Sequence, residues 1–166
     1  MSNKEDLRKL LVKTIFPIVG NSAETLIELL TSKKYVNEFV IAKKLDITIN
    51  QARNLLYRLS NYNLVSSVRE KDQKKGWYTY FWKVEVLKVL LLAKNNTLER
   101  VSRLKQQVEK RREKKHYTCK RCKIEYDEES AMLKDFTCDE CGDIFTVKND
   151  AKLIKGLERN LKKYES

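Results

Sequence analysis

The chain has 166 residues, with 35 Lys and Arg against 23 Asp and Glu and a formal net charge of +12. That length suits one medium domain or two small ones, and the cationic excess favours a polyanionic neighbour such as nucleic acid. No uninterrupted apolar run approaches the roughly 20 residues of a bilayer span, since Val84 to Ala93 is broken by Glu85 and Lys88, so no membrane role is expected.

With one Pro and four Gly, helices are permitted almost everywhere. Residues 4–16 place Leu7, Leu10, Leu11, Thr14 and Ile15 on one side of a predicted helix ending near Phe16-Pro17. Gly20-Asn21-Ser22 predicts a turn and a cap for a second helix with Ala23, Leu26, Ile27, Leu29 and Leu30 inward. Tyr35-Val36 reads as a short extended link. Asn37 can cap a third helix carrying Val40, Ile41 and Leu45, and Thr48 can cap a fourth with Ala52, Leu55, Leu56 and Leu59 inward. Helices three and four read as a helix-turn-helix. Leu64 to Lys71 and Trp77 to Trp82 predict two strands joined by the charged turn Asp72 to Gly76, which completes a winged-helix pattern.

From Glu85 to Lys115 the pattern is continuously helical, with Leu87, Leu91, Leu98, Val101, Leu104 and Val108 at near-heptad spacing. Beyond it stand the only four cysteines, Cys119-Lys-Arg-Cys122 and Cys138-Asp-Glu-Cys141, with fifteen residues between the pairs. Two such knuckles supply a tetrahedron of thiolates, and a closed four-sulfur shell makes a structural rather than catalytic metal site. One zinc ion is the expected cofactor. Iron remains open, because thiolate geometry alone does not choose. Disulfides are disfavoured by a composition suited to a reducing compartment and no leader-like start. Thr118, Ile124, Tyr126, Phe136, Phe145 and Val147 should surround the knuckles on short strands. His116 is expected to be a bystander, and Asp127-Glu128-Glu129 a solvated loop. Lys152 to Lys163 predicts a last amphipathic helix, with Leu153, Ile154, Leu157 and Leu161 on one face.

The predicted fold is therefore α+β and mainly α: a winged helix-turn-helix domain over 1–83, a long helical linker over 84–116, a small four-cysteine zinc ribbon over 117–148 and a C-terminal amphipathic helix over 149–166. The cationic excess lies in residues 1–116, whereas 117–166 has one more acid than base. A near-neutral ribbon is a poor phosphate grip and is expected to scaffold or meet protein.

The order winged helix, long helix, four-cysteine ribbon resembles the alpha subunit of archaeal transcription factor E, counterpart of the N-terminal half of the large TFIIE subunit. The resemblance rests on Trp77-Tyr78-Thr79-Tyr80-Phe81-Trp82, the helical linker after it, and Cys119, Cys122, Cys138 and Cys141. It implies a general transcription factor acting in the archaeal cytoplasm at the nucleoid. Such a factor joins RNA polymerase, TATA-binding protein and transcription factor B in the preinitiation complex and helps open the promoter. It also implies a winged helix near the polymerase clamp and the upstream edge of the bubble, a ribbon towards the clamp and stalk, and in some archaea a small beta subunit.

The residues themselves separate two surfaces. The fourth helix carries only Arg53 and Arg58 as cations, with Asn50, Gln51 and Asn54 able to read base edges, which is thin for a dedicated major-groove reader. The wing offers Trp77, Tyr78, Tyr80, Phe81 and Trp82 beside Arg69, Lys71, Lys74 and Lys75, a combination suited to polymerase contact or to stacking on unpaired bases. A two-stranded wing can bury only one face on its own domain, so one of its two aromatic rows (Trp77, Thr79 and Phe81, or Tyr78, Tyr80 and Trp82) is expected to be at least partly exposed. A single histidine, no Gly-rich phosphate loop and no paired carboxylates exclude most catalytic classes. The alternative reading is a dimeric winged-helix, sequence-specific regulator paired through the long helix.

Overall fold

A computed structural model describes residues 2–32, 34–71 and 76–165. The fold is mixed α+β and mostly helical, and it divides into two compact units, 1–96 and 97–166.

The first unit opens with α1 (Ser2–Val19), a turn of 3-10 helix at Gly20–Ser22, and α2 (Ala23–Leu30). Helix α1 runs through Pro17 rather than ending there. Gly20, at φ +63°, takes the left-handed conformation that reverses the chain. Ser22 makes no side-chain cap, contrary to expectation. Leu11, Ile15, Val19, Ala23, Leu26, Ile27 and Leu30 enter the core, whereas Leu7 and Leu10 face solvent, so the buried stripe lies on one edge of the expected face. The helical stretch 3–30 is long and apolar enough to cross a bilayer by length and composition. It folds back on itself, however: Arg8 of α1 bonds Glu24 and Glu28 of α2, and the apolar side chains close on the core.

Next come β1 (Val36–Asn37), α3 (Glu38–Leu45) and α4 (Ile49–Asn61). Asn37 caps α3 through the Phe39 N–H, and Thr48 caps α4 in a reciprocal box with Gln51. Ile41 is buried and Leu45 packs at the core edge, but Val40 is exposed, one position off the inward stripe. On α4, Ala52, Leu56 and Leu59 are buried and Leu55 is half-buried.

Strands β2 (Val65–Lys71) and β3 (Tyr78–Val84) pair antiparallel over seven residues, from Val65 opposite Val84 to Lys71 opposite Tyr78, giving sheet order β1-β3-β2. The turn cations Lys74 and Lys75 lie outside the described residues. Helix α5 (Val86–Glu113) follows. In the first unit it buries Val89, with Val86, Leu90 and Leu92 at the core edge. Leu87 and Leu91 of the expected seam are exposed.

In the second unit, β4 (His116–Thr118) sits between β5 (Glu125–Asp127) and β6 (Thr146–Val147). A short helix, α6 (Glu128–Leu133), lies between the two cysteine pairs, where a solvated loop was expected. Asp127 caps it by accepting from the Ser130 N–H, and Glu128 and Glu129 occupy its first turn, where carboxylates favour the helix dipole. Helix α7 (Ala151–Glu165) packs along the C-terminal half of α5: Arg112 bonds Glu158, and the Arg100 guanidinium lies 5.3 Å over the Tyr164 ring.

Candidate metal centre and wing surface

The two cysteine pairs form matching turns. In the first, Lys123 N–H donates to Cys119 C=O, and Cys119 N–H to Ile124 C=O. In the second, Gly142 N–H donates to Cys138 C=O, and Cys138 N–H to Asp143 C=O. The residue after each pair, Lys123 at φ +60° and Gly142 at φ +74°, takes the left-handed conformation that closes the turn.

Together the turns bring all four sulfurs within 4.8 Å of one another, a group that can hold one metal ion. Cys119 Sγ and Cys141 Sγ are 3.4 Å apart, far beyond the S–S bond of about 2.0 Å. That spacing approaches the edge of about 3.8 Å in a tetrahedron with 2.3 Å zinc–sulfur bonds. The cysteines are free, with Cys119 and Cys138 buried and Cys122 and Cys141 partly so. His116 is not in the ligand group; its Nδ1 lies 3.1 Å from Asp150 Oδ2.

The sulfurs compete for negative charge. The Cys122 backbone N–H draws the Cys119 thiol down to about 7, against its burial and with help from Cys141. Although the Asp143 backbone N–H opposes the change, burial and the sulfurs of Cys122, Cys119 and Cys138 push Cys141 up to about 12. A divalent cation held by the four sulfurs would favour the thiolate at every position.

A second set of charges braces the site. Arg111 bonds Glu125 and Asp150, Lys148 bonds Glu125, and Lys114 bonds Glu129. Burial tends to raise the Glu125 carboxyl, but Lys148 and Arg111 outweigh it and hold the group below its ordinary range. Of the residues expected around the knuckles, Phe145 is buried, and Tyr126 and Phe136 pack with Tyr117 against the cysteines. Val147 is exposed.

On the β2–β3 hairpin, burial shows which aromatic residues face the helices. Trp82 and Val84 are buried and Tyr80 packs on the same core; Trp82 lies 5.9 Å from the Tyr57 ring and 6.5 Å from the Tyr80 ring. Trp82, expected at the contact surface, is only 2% exposed, because its row turns onto the helices and its large ring fills the core. Tyr80 and Phe81 are half-buried. The exposed group is Trp77, 77% accessible, together with Tyr78, Arg69 and Lys71. The Arg69 guanidinium sits 5.0 Å over the Tyr78 ring, a cation–π pair.

One ion pair was not legible in the sequence. Glu38 at the start of α3 is fully buried and accepts two bonds from Arg53 of α4, at 2.9 Å from Nε and 2.7 Å from Nη2. The bond to Glu38 raises the Arg53 pKa further. One of the two cations on α4 is thereby tied to a buried carboxylate from a half-buried position. No periodicity signals such a cross-helix pair; the only hint is an acid directly after a cap, where a surface residue is usual.

Comparison with known proteins gives the affiliation. The family model of the TFIIE alpha subunit matches residues 9–113. The chain belongs to the TFIIE alpha subunit family. Curated relatives named transcription factor E agree. The Metallosphaera sedula protein is 33% identical over 137 residues, which is 82% of this chain and 78% of that one. The Methanobrevibacter smithii protein is 33% identical over 126 residues, 76% of this chain and 73% of that one. The Methanocaldococcus jannaschii protein is 32% identical over 136 residues, 82% of this chain and 79% of that one. A solved structure described as a possible transcriptional regulator from Methanosarcina mazei Go1 superposes with TM-score 0.50 at 13% identity, over 64% of this chain and 87% of that one, and bears on the fold alone. Membership in the TFIIE alpha family assigns a transcription initiation role and a non-enzymatic one. The family match ends at residue 113, before the cysteine centre.

Proposed function

We propose that this chain is a basal transcription initiation factor that binds RNA polymerase in the preinitiation complex and promotes or stabilises promoter opening. In this reading residues 1–83 are a winged helix-turn-helix domain, 84–116 a helical linker, 117–148 a ribbon holding one structural zinc ion, and 149–166 a helix completing that ribbon. The observation that carries the reading is the wing tip of a TFIIE alpha family member. Trp77, Tyr78, Arg69 and Lys71 stand exposed beyond the core, an apolar and cationic tip suited to polymerase and to unpaired bases at the upstream edge of the bubble. Tyr80 and Phe81 support the tip from half-buried positions, and Lys74 and Lys75 belong to its connecting turn by sequence.

The mechanism is differential binding. A factor that holds polymerase on melted DNA better than on closed DNA shifts the equilibrium towards opening. A differential affinity of about 1.4–4 kcal/mol moves the ratio by one to three orders of magnitude. The linker and ribbon set the wing's place on the clamp and stalk, alongside TATA-binding protein, transcription factor B and, where present, a beta subunit. The zinc assignment rests on the four-thiolate donor set and its sulfur spacing.

The alternative, a dimeric sequence-specific regulator, draws on the exposed Leu87 and Leu91 of α5. The commitment of Arg53 to Glu38 weighs against it, since it leaves α4 with Arg58 as its other cation. A photo-crosslinker at position 77 tests the choice. Crosslinks to polymerase or to the upstream bubble edge in an initiation complex support the proposal. Crosslinks to a palindromic duplex without polymerase, from a chain with the mass of a dimer, support the regulator.

A further inference from the structure

Helix α7 carries a stripe that the wing reading does not use. At about 100° per residue, Lys152, Lys155, Arg159 and Lys162 fall within an arc of roughly 80°. Ile154, Leu157 and Leu161 fall on the opposite side. Those three are half-buried and the four cations are exposed. Glu158 borders the stripe, and its carboxylate is bonded to Arg112 of α5. Arg159 Nε donates to Lys155 C=O, and among the described residues no carboxylate pairs with any of the four cations. A shallow groove of about 430 Å³ is lined by three of them, Lys155, Arg159 and Lys162, together with Glu158.

The near-neutral charge of residues 117–166 hides this surface, because it counts acids that are already spent. Arg111, Arg112 and Lys114 of the linker take up Glu125, Asp150, Glu158 and Glu129, and Lys134 takes up Asp139. Arg111, Arg112 and Lys114 lie before residue 117, so four carboxylates of 117–166 are paired with cations that the segment charge leaves out, and the α7 stripe stands as positive charge facing solvent.

We propose that the outer face of α7 binds the sugar–phosphate backbone of duplex DNA, as a contact separate from the wing. Ten residues of helix span about 15 Å, a length of duplex axis carrying about four phosphates on each strand. Four cations along that line reach two or three of them without reading sequence, as Lys and Arg contacts to phosphate do.

The test uses the full zinc-loaded chain and fluorescence anisotropy with a promoter-length duplex across a salt series. The fourfold variant Lys152→Gln, Lys155→Gln, Arg159→Gln, Lys162→Gln should bind about 10–100-fold more weakly at 0.1 M salt, with a log K against log salt slope shallower by about 2–3. Helicity and zinc content should match the parent. If the fourfold variant loses helicity, Lys152→Gln with Lys162→Gln is read instead, with a slope change of about 1–2. The pair Arg69→Gln and Lys71→Gln runs in parallel. An unchanged affinity and slope in the α7 variants, or a slope that falls only in the wing variant, overturns the proposal and leaves the wing reading intact. A parent chain without salt-dependent duplex binding also overturns it.

Discussion

The buried pair between Glu38 and Arg53 separates a scaffold helix from a base-reading one. Replacing Arg53 with Ala leaves a carboxylate at 0% exposure without its two charged bonds. Breaking a buried pair from one side costs about 3–5 kcal/mol. For a unit of this size, 1 kcal/mol moves Tm by roughly 4–8 °C, so a fall of at least about 12 °C is expected by differential scanning calorimetry. Replacing both partners, Glu38→Met with Arg53→Met, removes the stranded charge and fills the space. Such exchanges are often neutral or stabilising by about 1–4 kcal/mol. The double variant should therefore melt near the parent and open promoters as the parent does. A double variant as unstable as Arg53→Ala would refute the buried-pair reasoning. A stable double variant that no longer opens promoters would show that Arg53 acts outside the fold.

Four further outcomes follow from the structure. Trp77→Ala should leave stability within about 0.5 kcal/mol and lower promoter opening, whereas Trp82→Ala should cost about 3–5 kcal/mol; chemical denaturation beside an opening assay distinguishes them. Removing the metal with a chelator, or Cys138→Ser, should unfold the second unit while the first keeps its cooperative transition, read by zinc content and near-ultraviolet circular dichroism. Glu125→Gln should cost about 1.5–3 kcal/mol at neutral pH. Because Lys148 and Arg111 hold the folded Glu125 pKa below its ordinary value, the parent's advantage is present above that ordinary value. It is lost as pH falls through the lowered one, so parent and variant should converge in acid; a gap that persists there contradicts the assigned network. Thr48→Ala should cost about 1 kcal/mol through loss of the cap on α4.

The sequence made some elements legible because their signals are local. Asn37 and Thr48 announce their helices through side chains that bond the next turn, and the cysteine spacing announces a convergent sulfur group without any tertiary information. The inward set of α4 was legible because its apolar residues recur at the helical period. What was lost depends on contacts between elements. Leu7, Leu10, Val40, Leu87 and Leu91 are apolar at plausible spacings yet exposed, since the rotation of each helix is fixed by its neighbours. Trp82 was misplaced because a strand's alternation gives two rows but not which one faces the helices. Over α6, Asp127, two acids and Ala131-Met132-Leu133 carry a cap and helix-forming residues, but three consecutive acids equally suit a solvated loop, and only the Asp127–Ser130 bond distinguishes the two. The α7 surface escaped because segment charge treats paired and unpaired groups alike.

Promoter opening is the central claim, and single-strand reactivity measures it most directly. In a reconstituted archaeal initiation system on a weak promoter, thymines around the start site are probed with and without the chain, a beta subunit being supplied. The account predicts increased reactivity that requires polymerase and is reduced by Trp77→Ala. Unchanged reactivity on several promoters, with the chain folded and zinc-loaded, would contradict it.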